Sequence, residues 1–90
     1  MGRTLTIQRT TVPFSERVKY FERLKASKAH YTAANCRFWV FEESSLPGAF
    51  IEFTEADDET ALTMAHANSP VRVLDPARIY HETDIGINAG

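Results

Sequence analysis

Three histidines (His30, His66 and His81), a single cysteine (Cys36) and a glutamate set in an apolar run (Glu52) are the residues here whose types suit proton transfer or metal ligation. Histidine comes first, because its charge changes near neutral pH. His66 falls at the edge of the apolar face of a predicted helix, where it could serve as acid, base or hydrogen-bond donor in a pocket between helix and sheet. The commoner fate of such a histidine is a packed ring with one hydrogen-bond partner, or a cation favoured by the helix end. His81 shares a strand face with Ile79 and Ile85 and is expected to be at least half buried, while His30 lies on the polar side of a helix and is expected in solvent. No two histidines have the i, i+4 spacing of ligand pairs and Cys36 has no neighbouring ligand, so no metal site is expected.

Arg9, with the parity of Leu5 and Ile7, joins His66 and His81 in the candidate catalytic set. Arg17, Lys25 and Lys28 intrude into the apolar arc of the first helix and could ring the mouth of a pocket for an acidic ligand. Long stems that cover apolar surface while their charges reach water are the ordinary alternative. Tyr31, Trp39, Phe53 and Lys28 are the candidate ligand-binding residues, although aromatics at such spacings more often build a core. Glu52 points away from Ile51 and Phe53, so it is expected on an interface face, needing a partner such as Gln8, Tyr80 or a residue of another chain. A raised pKa there would make it an acid, though pairing is commoner. There is no G-x-S-x-G elbow and no glycine-rich phosphate loop between a strand and a helix.

The elements that must position these residues can be read from periodicity. Residues 4–11 alternate in period two, as a strand does, and Pro13 ends them. Ser15 is expected to cap the following helix, with Phe14 as a hydrophobic staple. To about residue 34 nothing breaks the helix; Phe14, Val18, Tyr20, Phe21, Leu24 and Tyr31 share one wide arc, and Asn35 suits its C-terminal end. Residues 36–43 and 49–55 form a hairpin around a Pro-Gly turn. Asp57, Asp58 and Glu59 mark the start of a second helix that places Ala61, Leu62, Ala65, His66 and Ser69 on one face before Ser69-Pro70 stops it. Residues 78–85 are expected as the last strand, and residues 86–90 as a loose tail.

The order βαββαβ is that of a ferredoxin-like α+β domain: a four-stranded antiparallel sheet with two helices on one face. The other face is then uncovered, yet Phe38-Trp39-Val40-Phe41 is large and apolar on both sides. The expected solution is a homodimer, sheet against sheet about a two-fold axis, with Thr6, Gln8, Phe50, Glu52 and Tyr80 at the interface. Composition agrees: 90 residues make one domain, and one cysteine allows no internal disulfide to support so small a core. A net charge of −2 without basic runs leaves no footprint for nucleic acid. No apolar stretch is long enough to cross a membrane, and the N-terminus lacks an export signal, so a cytoplasmic setting is expected.

The strand Phe50-Ile51-Glu52-Phe53, followed by Ala65-His66-Ala67-Asn68-Ser69-Pro70, resembles a pattern of the antibiotic-biosynthesis-monooxygenase-like proteins of the dimeric α/β-barrel superfamily. The likeness of topology covers nearly the whole chain; the likeness of residues covers this strand and helix. Phe53 and Thr54 stand where the family often carries tryptophan. The resemblance implies a small-ligand-binding homodimeric barrel, and cofactor-independent oxygenation or isomerisation of an aromatic or polyketide-like compound. A non-catalytic sensor, accessory or structural dimerisation domain is the alternative.

Overall fold

In the computed structural model, which describes residues 3–86, the elements run β1 (Thr4–Thr11), α1 (Arg17–Ala33), β2 (Arg37–Glu42), β3 (Ala49–Ala56), α2 (Glu59–Ala67) and β4 (Tyr80–His81). They form an antiparallel sheet in the order β2-β3-β1-β4, compatible with a ferredoxin-like fold. The expected tail, residues 86–90, lies outside the described residues except for Gly86.

Both helices cover the same face. Thr6 and Phe38 both pair in register with Thr54, so the three share a side of the sheet. Tyr31 of α1 stacks on Phe38, and His66 of α2 bonds to Thr6. The shortest dimension of the molecule, 19 Å, is that of one helix layer on one sheet, about 10 Å each.

The side-chain parity of β1 and β3 is opposite to the one expected. Thr4 and Thr6 of β1 are buried under the helices, while Leu5 and Ile7 face away. Phe50 and Glu52 also lie on the helix side, in register with Thr10 and Gln8. Thr6, Gln8, Phe50 and Glu52 are therefore not on the open face, where they were expected. The physical reason is size. α2 comes down on the sheet over Thr4, Thr6, Thr54 and Ala56, and only small side chains permit that approach. The cost of burying hydroxyls is met locally, since Thr4 donates to the Ala56 carbonyl at 3.3 Å and Thr6 bonds to His66. Among the described residues no buried side-chain polar atom lacks a partner.

The open face collects Leu5, Ile7, Trp39, Phe41, Ile51 and Phe53, with Trp39 41% and Phe41 56% exposed. Tyr80 pairs with Leu5 and lies on the same side, as expected. At one end Glu55 is held by Arg37 at 2.8 Å and Arg3 at 3.1 Å.

α1 begins differently from expectation. A 3-10 turn over Phe14–Glu16 leads into it, Ser15 makes no capping bond, and Phe14 is 89% exposed, so there is no staple. The buried stripe is Tyr20, Ser27 and Tyr31 with Leu24 partly covered, narrower than the predicted arc, and Val18 is exposed. The C-terminal end follows the sequence. Asn35 takes φ 62°, the Cys36 N–H bonds the Tyr31 carbonyl at 2.8 Å and the Asn35 N–H bonds Thr32 at 3.1 Å, a Schellman motif. Cys36 is buried, which pushes its thiol pKa up and keeps it unreactive. In α2, Asp58 accepts from the Ala61 N–H as predicted for the acidic start, and Leu62, Ala65 and His66 are buried on the predicted face.

β4 is shorter than the predicted 78–85. Among the described residues its ladder with β1 holds Tyr80 and His81, and the Glu82 N–H reaches the Arg3 carbonyl at 2.8 Å just beyond them. In the β2–β3 turn, Gly48 has φ 93° and a Cβ there would sit 2.7 Å from the Val12 carbonyl oxygen. That approach is needed, because the Val12 N–H bonds the Gly48 carbonyl at 2.7 Å. Gly48→Ala is expected to lower stability by about 1–3 kcal/mol, read by urea denaturation.

Candidate functional site

His66 sits at the centre of a closed hydrogen-bonded chain rather than in a pocket. Its Nε2 is 2.7 Å from the Thr6 hydroxyl and its Nδ1 is 2.7 Å from the Tyr31 hydroxyl. One ring nitrogen donates and the other accepts, and hydroxyls can complement either tautomer. Burial, and to a smaller degree the nearby His30, hold its pKa below the usual 6.5, so the ring is neutral at physiological pH. His66 is not among the residues lining any of the three grooves described below. With both nitrogens occupied, and outside those three grooves, the ring ties α2 to β1 and to α1. His30, expected in solvent, is half buried and bonds the Ala65 carbonyl at 2.7 Å, which makes Nε2 the protonated nitrogen and ties α1 to α2.

The other two candidate catalytic residues lie elsewhere. His81, expected to be half buried, is 61% exposed beside Glu59 because the short β4 leaves it at the sheet edge. Arg9 is on the open face, where it borders a groove with Phe41 and Ile51. Of the candidate ligand-binding residues, Trp39 and Phe53 are also on the open face, and Tyr31 is buried against Phe38. Lys28 donates to the Phe38 carbonyl at 3.2 Å and lines an apolar groove of about 640 Å³ between α1 and the edge of β2. The structure does not bring these residues together into one site.

It assembles a different set. Between α1, the sheet and the connection after α2 lies a cleft of about 470 Å³, with Gln8, Tyr20, Arg23, Glu52 and Arg72 in its walls. β3 places Glu52 on the helix side, and the buried stripe of α1 places Tyr20 over it. The Tyr20 hydroxyl donates to Glu52 Oε2 at 2.7 Å. Burial raises the Glu52 pKa, and the Tyr20 bond and Arg23 pull part of that back. Burial and the adjacent carboxyl push the Tyr20 phenol well up, so it remains a donor. Glu52 Oε1 has no protein partner among the described residues, and since no buried polar atom there is unsatisfied, that oxygen is open to the cleft. Gln8 turns its side-chain oxygen to the Leu74 N–H at 2.7 Å, which leaves its NH₂ as a donor on the cleft wall. Arg23 lies over the Tyr20 ring at 5.8 Å.

A half-buried carboxyl with one oxygen free, beside a phenol that stays protonated, can accept a proton from a bound compound or bond its hydroxyl. Among the described residues no group of three or more His, Cys, Asp or Glu side chains could hold a metal, and no helix is long and apolar enough to cross a membrane. Alternation alone puts Glu52 on the other face and so does not pair it with Tyr20. The signal was present in residue size: Thr4, Thr6, Thr54 and Ala56 share one parity with Glu52.

A buried carboxyl with a raised pKa costs stability when ionised. Its folded form binds a proton more tightly than its unfolded form, so stability falls as pH rises from the usual 4.5 through the raised value. Glu52→Gln keeps an acceptor for Tyr20 and removes the charge. It is expected to gain up to about 1 kcal/mol at pH 7, with the gain vanishing below the ordinary carboxylate range, read by denaturation at several pH values.

No family model, curated protein or solved structure matches this chain.

Proposed function

We propose that the chain is a small-molecule-binding protein acting as a homodimer, two open sheets packed face to face, with a ligand in the cleft over Glu52 of each protomer. The observation that carries the binding site is the cleft itself: about 470 Å³, with a half-buried carboxyl, a phenol and an amide converging on it. The dimer is supported by the aromatic open face. Three long strands at about 4.8 Å spacing and about 26 Å length give a plan area on the order of 400 Å², the size at which apolar patches mark interaction sites. Titration of ¹⁵N-labelled protein with a panel of neutral and charged single-ring aromatics tests the site. Shifts are expected at the amides of Gln8, Glu52 and Val71; shifts confined to other surfaces, or none, overturn the reading.

A cofactor-independent isomerase or monooxygenase acting on an aromatic or polyketide-like compound is the second reading. It is favoured by the free Oε1 of Glu52 beside the Tyr20 donor. Deuterium wash-in at the α-carbon of acetophenone should then exceed the buffer rate and fall about 100-fold or more in Glu52→Gln. Exchange at the buffer rate in the wild type leaves a binding or sensor protein. A cleft that takes no ligand leaves a structural dimerisation domain.

A further inference from the structure

The charges around the cleft are unlike those of the molecule as a whole. The chain carries a net −2, yet among the described residues the charged ones lining the cleft are Arg23, Arg72 and Glu52. Its wall therefore carries at least one net positive charge. Arg3, Arg17, Arg37 and Arg78 are each held by a carboxylate. Arg9, Arg23 and Arg72 have no such partner among the described residues, and two of those three line this one cleft. A guanidinium without a carboxylate presents a planar fork of N–H donors matched to a carboxylate. The wall that the sheet contributes is chemically different. Glu52 Oε1 and the Gln8 NH₂ offer one acceptor and one donor, the complement of a hydroxyl or carbonyl group.

We propose that the cleft takes a small organic monoacid, its carboxylate held by Arg23 and Arg72 and its hydroxyl or carbonyl group meeting Glu52 and Gln8. A monoanion fits better than a phosphate ester. Two guanidinium groups beside a carboxyl that can ionise leave little positive charge to balance a dianion. The volume of about 470 Å³ accommodates one aromatic ring with these two substituents. The inference rests on the cleft being the binding site, and the test keeps the two apart.

The probes are salicylate and its neutral amide, salicylamide, which share a ring and a hydroxyl and differ in charge. Both fluoresce, so affinity is read from their emission and position from amide shifts in the labelled protein. Salicylate is expected to bind at least about tenfold more tightly than salicylamide. Arg23→Gln and Arg72→Gln are each expected to weaken salicylate about tenfold and leave salicylamide unchanged. Arg72 is exposed on the connection after α2, so its variant keeps the fold even if Arg23→Gln, which loses the contact with the Tyr20 ring, does not. Equal affinities for the two probes, or salicylate affinity unchanged in Arg72→Gln, overturn the monoacid inference and leave the cleft reading standing. Binding of neither probe, with no shift at the cleft amides, overturns both.

Discussion

Placing aspartates at Trp39 and Phe41 together is expected to convert the proposed dimer to a folded monomer. Both side chains stand on the open face, 41% and 56% exposed in the single chain. Phe41 meets the edge of Phe53 with ring centres 5.8 Å apart, so the pair forms the relief against which a second sheet would pack. Aromatic anchors at the centre of an interface are commonly worth about 2 kcal/mol or more each, and a charge buried there adds a desolvation cost. Sedimentation at micromolar concentration should give about twice the chain mass of 10.2 kDa for the wild type and the single mass for the variant. The variant's far-ultraviolet circular dichroism should be unchanged, because neither residue belongs to the helix-covered core. A wild type that sediments as a monomer overturns the dimer. Phe50→Asp provides the contrast. Phe50 is buried against Tyr20 with ring centres 4.8 Å apart, so a charge there unfolds the chain rather than dissociating it.

The second large effect is expected at His66. His66→Ala leaves two buried hydroxyls, on Thr6 and Tyr31, without their partner and opens a cavity between α2 and the sheet. An orphaned buried polar group costs about 1–3 kcal/mol and a core truncation adds a cavity cost, so the loss is expected at about 2–5 kcal/mol. That is a large share of the roughly 5–15 kcal/mol typical of a folded domain. Tyr31→Phe, which orphans only His66 Nδ1, should cost less. Any ligand affinity or turnover at the cleft should persist in the fraction that remains folded, since His66 is not part of that cleft.

The same residue has a pH signature. The folded protein holds the His66 pKa below 6.5, so between the lowered value and 6.5 the unfolded chain binds more protons. Stability from this residue is present above 6.5 and is lost as pH falls through that window. The His66→Ala variant should show a flatter profile there. Further down, Glu42 and Glu82, each lowered by an arginine, lose their ion pairs as pH drops below the ordinary carboxylate range. Glu52 acts with the opposite sign, because its pKa is raised. Denaturation midpoints measured from pH 4 to 8 in wild type, His66→Ala and Glu52→Gln separate the contributions of these two buried groups.

Much of the fold was legible in local chemistry. The period-two run of β1, the Asn35 stop, the Pro-Gly hairpin and the acidic start of α2 each depend on neighbours a few residues away. The structure places them within a residue or two of the reading. The length of the last strand was not legible, because alternation does not say where a ladder stops; among the described residues only Tyr80 and His81 pair with β1. Residue type is what singles out His66, His81 and Arg9 as a catalytic set. Residue type does not say that His66 has both nitrogens occupied, that His81 lies at an edge, or that Arg9 faces away from the helices.

The sequence by itself determined the element order, the hairpin, the buried face of α2 and the presence of two apolar sheet faces. Those follow from periodicity and turn stereochemistry, which act over a few residues. Only the tertiary structure decided which face the helices cover. Alternation marks two sides of a strand but does not rank them when one carries threonines with Phe38 and Phe50 and the other carries Leu5, Ile7, Trp39 and Phe41. α2 packs over the small residues of that side, because close packing rewards proximity and the threonine hydroxyls found partners in Ala56 and His66, while α1 covers Phe38 and Phe50. That choice turned Glu52 under Tyr20 and made the cleft, and it left the aromatic side outward, where a second copy of the chain is proposed to cover it.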